Sequence, residues 1–183
     1  MQSADATAFT ERLTAVFREV RRVLKASGVF AFTYHHSRAE GWSSVLRALI
    51  ESGFLITAAH PIKSEMSVAM PKLQAKEPID LDIILVCRTR TDSPDADGTR
   101  GVLREASAVA ERQIRRLRIA GRRLSRNDVR VVVMSQLLRR ISGLHSADEA
   151  SASPDALDGD IEALIDRLAE GDGAVWPAER KAG

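Results

Sequence analysis

Arg22-Val23-Leu24-Lys25-Ala26-Ser27-Gly28-Val29-Phe30-Ala31-Phe32-Thr33-Tyr34 is the stretch that decides how this chain folds. Leading into it, Phe9, Leu13, Val16, Phe17, Val20 and Leu24 recur at spacings of three and four. That period predicts one apolar stripe along a helix. Gly28 stands where a C-terminal cap would end it. Val29 to Tyr34 follows at once, apolar on both alternating faces. A strand of that kind is expected to be buried and parallel to its neighbours, with helices above and below it.

Working outward, Trp42, Val45, Leu46, Leu49 and Ile50 form a second helical stripe that Gly53 closes. Phe54 to Ala59 reads as a second strand, which Pro61 is expected to end because proline donates nothing to a ladder. A long loop with Pro71 and Pro78 leads to a third strand, Leu81 to Arg88. No helix separates the last two strands, so they are expected to pair as antiparallel neighbours. The fold class is therefore α/β: helix, strand, helix, strand, strand over residues 9–90.

Residues 91–101 read as a linker, rich in Asp, Ser, Pro and Gly. Residues 102–144 form a basic helical extension. In its first helix Leu103, Ala106, Ala110, Ile114 and Leu117 share a face, while Arg112, Arg115, Arg116 and Arg118 lie off it. Ser125 and Asp128 have capping-box spacing, which predicts a helix from Arg126 to Ile141. The β-branched run Val129 and Val131–Val133 makes a strand the competing reading there. Residues 145–183 are expected to be an acidic, largely disordered tail with one short helix at Ile161 to Leu168.

The net charge of +2 conceals an uneven distribution. Residues 104–140 carry 11 Arg against Glu105, Glu111 and Asp128, net +8, and residues 141–183 are net −7. Cys87 is the one cysteine, which excludes an internal disulfide framework and any cysteine-based zinc site. It lies in an apolar run, so a buried, inert thiol is expected. No apolar run approaches the length of a bilayer span, and the polar N-terminus lacks a signal-peptide core. A soluble cytoplasmic protein is the expectation.

Several segments resemble one family. Arg22-Val23-Leu24-Lys25-Ala26-Ser27-Gly28 is similar to the bend before the fifth strand of class I S-adenosylmethionine-dependent methyltransferases, with Ala26-Ser27 where that family often has Pro-Gly. Further segments resemble the C-terminal part of predicted adenine-specific DNA methylases, large proteins of which some carry a zinc ribbon. These are Phe32-Thr33-Tyr34-His35-His36, Gly41-Trp42, Leu49-Ile50-Glu51-Ser52-Gly53-Phe54, Pro61-Ile62-Lys63-Ser64-Glu65 and Ile83-Ile84-Leu85-Val86-Cys87-Arg88. The resemblance spans residues 9–90 and extends faintly over 102–144. It implies the closing half of a Rossmann-like methyltransferase sheet, with S-adenosylmethionine as cofactor of the complete enzyme and DNA as its partner.

The family's cofactor turn is a glycine-rich loop after the first strand, and its catalytic motif is an Asp-Pro-Pro-Tyr tetrapeptide after the fourth. Neither stands in this chain in that context, and by resemblance both belong before Met1. The resemblance therefore assigns no catalytic or cofactor-binding residue here. It implies a fragment or split subunit of a DNA adenine methyltransferase, inactive alone, that pairs with the opening half on another chain or self-associates. The alternatives are a non-catalytic nucleic-acid-binding or scaffold module that retains half of the fold, and an unrelated small α/β domain.

Ligands of open α/β sheets sit beyond the carboxyl ends of the strands. That rule, with the resemblance, brings forward Tyr34, His35, His36, Arg38, Lys63 and Glu65, with Lys72 and Lys76, as a substrate or nucleic-acid edge. Trp42 reads as a core anchor at a helix start. His35 and His36 are adjacent, so on a strand they point to opposite faces and do not make a metal pair. Arg112, Arg115, Arg116 and Arg118 form a second candidate contact, through phosphate attraction. The strand from Val29 is expected to leave one sheet edge bare unless residues 102–144 fold back over it.

Overall fold

The computed structural model describes residues 6–64, 79–90, 101–144, 154 and 157–170. In chain order the elements are α1 (Ala6–Val23), β1 (Phe30–Tyr34), α2 (Ala39–Glu51), β2 (Phe54–Lys63), β3 (Leu81–Thr89), α3 (Val102–Ile119), α4 (Arg126–Ile141) and α5 (Asp158–Glu170). The three strands form one antiparallel sheet in the order β1-β3-β2. Phe30 lies opposite Cys87 and Tyr34 opposite Ile83, while Phe54 lies opposite Thr89 and Lys63 opposite Leu81. The β2–β3 pairing is thus as expected. β3 returns between its two predecessors, so β1 and β2 run parallel without touching.

Strand alternation gives the sheet two unequal faces. Phe54, Ile56, Ala59, Leu81, Ile83, Leu85 and Cys87 are buried and share one face. Phe30, Phe32 and Tyr34 of β1 lie on it too and are packed against the core. Phe17 of α1 meets Phe30 and Phe32, both with ring centroids 5.3 Å apart. The second face carries Ala31, Thr33, Leu55, Ala58, Ile62, Ile84 and Val86, and none of them is buried. The expectation of helices above and below β1 is therefore corrected: the core is built on one side, and β1's direct neighbour is antiparallel.

Residues 102–144 are part of the same core rather than an appendage. Val102, Ala106, Ala110 and Ile114 are the buried stripe of α3. In α4, Val129, Val131, Val132, Val133, Met134, Leu137, Leu138 and Ile141 are all buried. The competing strand reading fails because α4 packs against α3, α5 and the sheet, so apolar residues are needed around most of the helix. The capping box forms: Ser125 accepts from the Asp128 N–H, and Asp128 accepts from the Ser125 N–H. α5 contains the short helix expected at 161–168 and buries Ile161, Leu164 and Ile165; apart from Pro154 and residues 157–170, the 145–183 tail lies outside the described residues.

Three local expectations fail for identifiable reasons. α1 ends at Val23, and Gly28 is not in the left-handed region, so Gly28 is no cap. Its close fit is against Leu24, where an added Cβ would lie 2.7 Å away. β2 runs through Pro61 to Lys63, because β2 is an edge strand and a proline there costs the ladder nothing if its nitrogen faces outward. Val16 of the α1 stripe is exposed, while Thr10 and Thr14 are buried against the α2 side. Gly53, by contrast, ends α2 as read, with φ +73°, and the Arg21 guanidinium fills the space a Cβ would need.

Candidate functional site

The carboxyl ends of β1 and β2 and the start of β3 meet at one end of the sheet. Alternation past Tyr34 sends His36 toward the helices and His35 toward the second face. The Tyr34 hydroxyl donates to the Gly41 carbonyl at 2.9 Å, and its ring stands perpendicular to that of Trp42 with centroids 5.0 Å apart. The His36 ring lies nearly parallel to Tyr34, and the Trp42 indole N–H donates to the His36 carbonyl at 2.9 Å. The Arg38 N–H donates to His36 Nδ1 at 3.0 Å. Gly41 is required for this nest: a Cβ there would fall 2.4 Å from His36 Cγ.

Tyr34 and His36 therefore fasten the entry to α2, and Trp42, fully buried, is the core anchor that was expected. Burial drives the Tyr34 phenol well above its ordinary pKa. Its hydroxyl is used within the fold rather than presented at the substrate edge. Arg38 remains exposed at the N-cap of α2.

His35 has a partner that sequence reasoning missed. Its Nδ1 is bonded to the Asp82 carboxylate across β1 and β3. A carboxylate on Nδ1 fixes the imidazole orientation and leaves Nε2 as the group available to a proton or a phosphate oxygen. The available signal was an acid between Leu81 and Ile83 in an otherwise apolar strand. Lys63 is exposed at the same end of the sheet, on β2, with β3 between it and β1. The structure thus gathers Tyr34, His35, His36 and Arg38, sets Lys63 apart, and leaves Glu65, Lys72 and Lys76 outside the described residues. Among the described residues no three His, Cys, Asp or Glu side chains converge as a metal site.

The start of β3 is held from α4. Asp128, buried, accepts from the Asp80 N–H at 2.7 Å and the Leu81 N–H at 3.0 Å through Oδ1, while Oδ2 takes Ser125. One carboxylate therefore caps a helix and positions the strand that carries Asp82.

Apart from Arg123, the arginines of 104–140 divide into two sets. Arg118 donates to the Leu168 and Ala169 carbonyls at the end of α5. Arg126 and Arg130 both bind Glu162, and Arg126 also binds Asp166. Arg140 pairs with Glu105, and Arg139 donates to the Thr57 carbonyl. These are structural. Arg112, Arg115 and Arg116, with Arg104 and Arg122, are exposed, and their side chains bond to no described residue. Of the four candidate arginines, Arg118 thus belongs to the fold and the other three face solvent.

The two borders of the sheet differ in the same way. Along β2, the Ile56 N–H donates to Ser142 Oγ, the Thr57 carbonyl accepts from Arg139, and the Ala59 carbonyl accepts from Gln136 and Gln113. Gln136, Arg139 and Ser142 recur every third residue, so one side of α4 substitutes for a neighbouring strand. The outer side of β1 has no partner among the described residues. Val29, just before it, is 46% exposed, and Val16 and Val23, on the side of α1 away from α2, are 57% and 65% exposed.

Among the described residues no helix is long and apolar enough to cross a membrane. No protein-family model, no curated protein and no solved structure matches this chain.

Proposed function

We propose that this chain is the closing half of the sheet of a class I, adenine-specific DNA methyltransferase. It works once an opening half, from preceding polypeptide or from another chain, is docked along β1. The observation that carries this reading is the contrast between the borders: β2 is sealed by Ser142, Arg139, Gln136 and Gln113, and the outer side of β1 has no partner among the described residues. By the resemblance, the fourth strand of the complete sheet belongs beside β1, the border that no described residue covers. The order β1-β3-β2 supports this, because the returning strand goes to the inner side of β1. The exposed Val16, Val23 and Val29 and the half-buried Leu55, Ile84 and Val86 supply apolar surface for the incoming half.

No described strand is followed by a glycine-rich turn, and on this reading the seat for S-adenosylmethionine lies in the opening half. In the assembled enzyme that cofactor would supply the methyl group for a base amine. The His35–Asp82 pair, with Lys63 on the neighbouring rim, would meet the backbone of a flipped nucleotide there. The second reading, a non-catalytic nucleic-acid module, draws its support from the unbonded arginines of α3.

The test is calorimetric titration of S-adenosylmethionine into the lone chain and into the chain co-produced with an opening half. The lone chain should take up none and the assembly should bind; tight binding by the lone chain would defeat the proposal. Light scattering supplies a second reading. The lone wild-type chain should self-associate, and Val86→Lys on the second face should reduce that association without moving its melting temperature. A wild-type chain that is already a compact monomer with sharp cooperative melting would count against an unfinished sheet.

A further inference from the structure

We infer that the solvent face of α3 is a docking rail for the phosphodiester backbone of a double-stranded nucleic acid. The inference stands on the sorting of the arginines and does not depend on the methyltransferase reading.

On a helix of 3.6 residues per turn, Arg104, Ala108, Arg112, Arg115 and Ile119 fall on one face, with Arg116 at its border. That face is opposite the buried stripe Val102, Ala106, Ala110 and Ile114. Arg122, also exposed, follows the turn at Gly121 just past the helix end. The helix has two acids, and both are consumed by arginines from other elements: Glu105 by Arg140 and Glu111 by Arg167. The rail therefore carries four guanidinium groups on the helix, with Arg122 beyond its end, and no compensating carboxylate among the described residues. Fold-making arginines have been provided separately, so this set is not needed to hold α3 in place. At a rise of about 1.5 Å per residue, Arg104 to Arg116 extends over roughly 18 Å, on the scale of the phosphates along half of one duplex turn.

The chemistry selects the partner. The apolar side of α3 is already buried, and Ile119, 80% exposed, is the one large apolar group on the outer face, so a membrane surface has little to receive. α3 has no aromatic residue, so unpaired bases find nothing to stack on. A rigid, straight row of planar, always-charged donors suits regularly spaced phosphates.

The experiment uses the full chain with a DNA duplex and an RNA duplex of equal length, a single strand, and polyglutamate as a non-nucleic polyanion. Binding is followed by fluorescence anisotropy from 50 to 200 mM salt. If about four phosphates are neutralised, the logarithm of the binding constant should fall with a slope of about −3.6 against the logarithm of salt. Affinity would then drop by on the order of 100-fold across that range. Arg112→Ala/Arg115→Ala/Arg116→Ala together should flatten the slope by nearly three units with an unchanged urea midpoint. Arg126→Ala, in the structural set, should leave the slope unaltered. Preference for one duplex identifies the source of the backbone. No duplex binding at 50 mM salt, an unaltered slope in the triple variant, or polyglutamate binding as tightly as the duplexes would each overturn the inference.

Discussion

Replacing Asp128 is the sharpest test of how the helices hold the sheet. Its carboxylate is buried and accepts from the Asp80, Leu81 and Ser125 N–H groups and from the Ser125 hydroxyl. Asp128→Ala removes the capping box, worth about 1 kcal/mol, and strands two backbone donors at the start of β3. An unsatisfied buried donor costs about 1–3 kcal/mol; taking about 1.5 for each, the variant should lose about 4 kcal/mol. Asp128→Asn keeps one acceptor oxygen and should lose about half of that. Ser125→Ala removes the hydroxyl alone and should lose about 1 kcal/mol. The assay is urea unfolding followed by circular dichroism. With a slope of about 2 kcal/mol per molar, Asp128→Ala should lower the midpoint by about 2 M. Equal effects for Asp128→Ala and Ser125→Ala would refute the reasoning, because they would reduce Asp128 to a cap with no hold on β3.

Two further predictions use titration and reactivity. Burial raises the Glu162 carboxyl, but bonds from Arg126 and Arg130 outweigh it, and the net pKa lies below the ordinary 4.5. A lowered carboxylate stabilises the fold above its unfolded pKa and loses that contribution as pH falls through the folded value. Urea midpoints should accordingly fall from pH 5 to pH 3, and Glu162→Gln should flatten that fall while lowering the midpoint at pH 7. An identical pH profile in the variant would contradict the assignment. Cys87 is fully buried, and burial pushes its thiol up to about 12. A disulfide reagent at pH 8 should leave the native chain unmodified and label one thiol per chain in urea; rapid native labelling would show that β3 is not in the core.

The elements were legible because each is written locally. The stripe Trp42, Val45, Leu46, Leu49 fixes α2, and Ser125 with Asp128 marks the start of α4. The arrangement was not legible, because it depends on pairs far apart in the chain. Nothing near Pro61 says that β2 is an edge strand, and nothing near Val29 says that β3 will take its inner side. At the candidate site, Tyr34, His35 and His36 stood out by type, but Asp82 is 47 residues from His35 and became a partner only through strand register. The arginines of 104–140 were visible as a basic run. Which of them are engaged was not, since that requires α5 to pack with Glu162 and Asp166 facing α4.

The sealed border of β2 limits stoichiometry. A sheet open at both sides can polymerise, each added chain presenting a fresh template to the next. Here Ser142, Arg139 and Gln136 act as a chain stopper on one flank, so a strand that joins at β1, which no described residue covers, leaves no further sheet edge to extend. If the joining strand comes from an identical molecule, twofold symmetry closes the pair. A finite complex of two is the outcome this geometry permits, rather than a fibre.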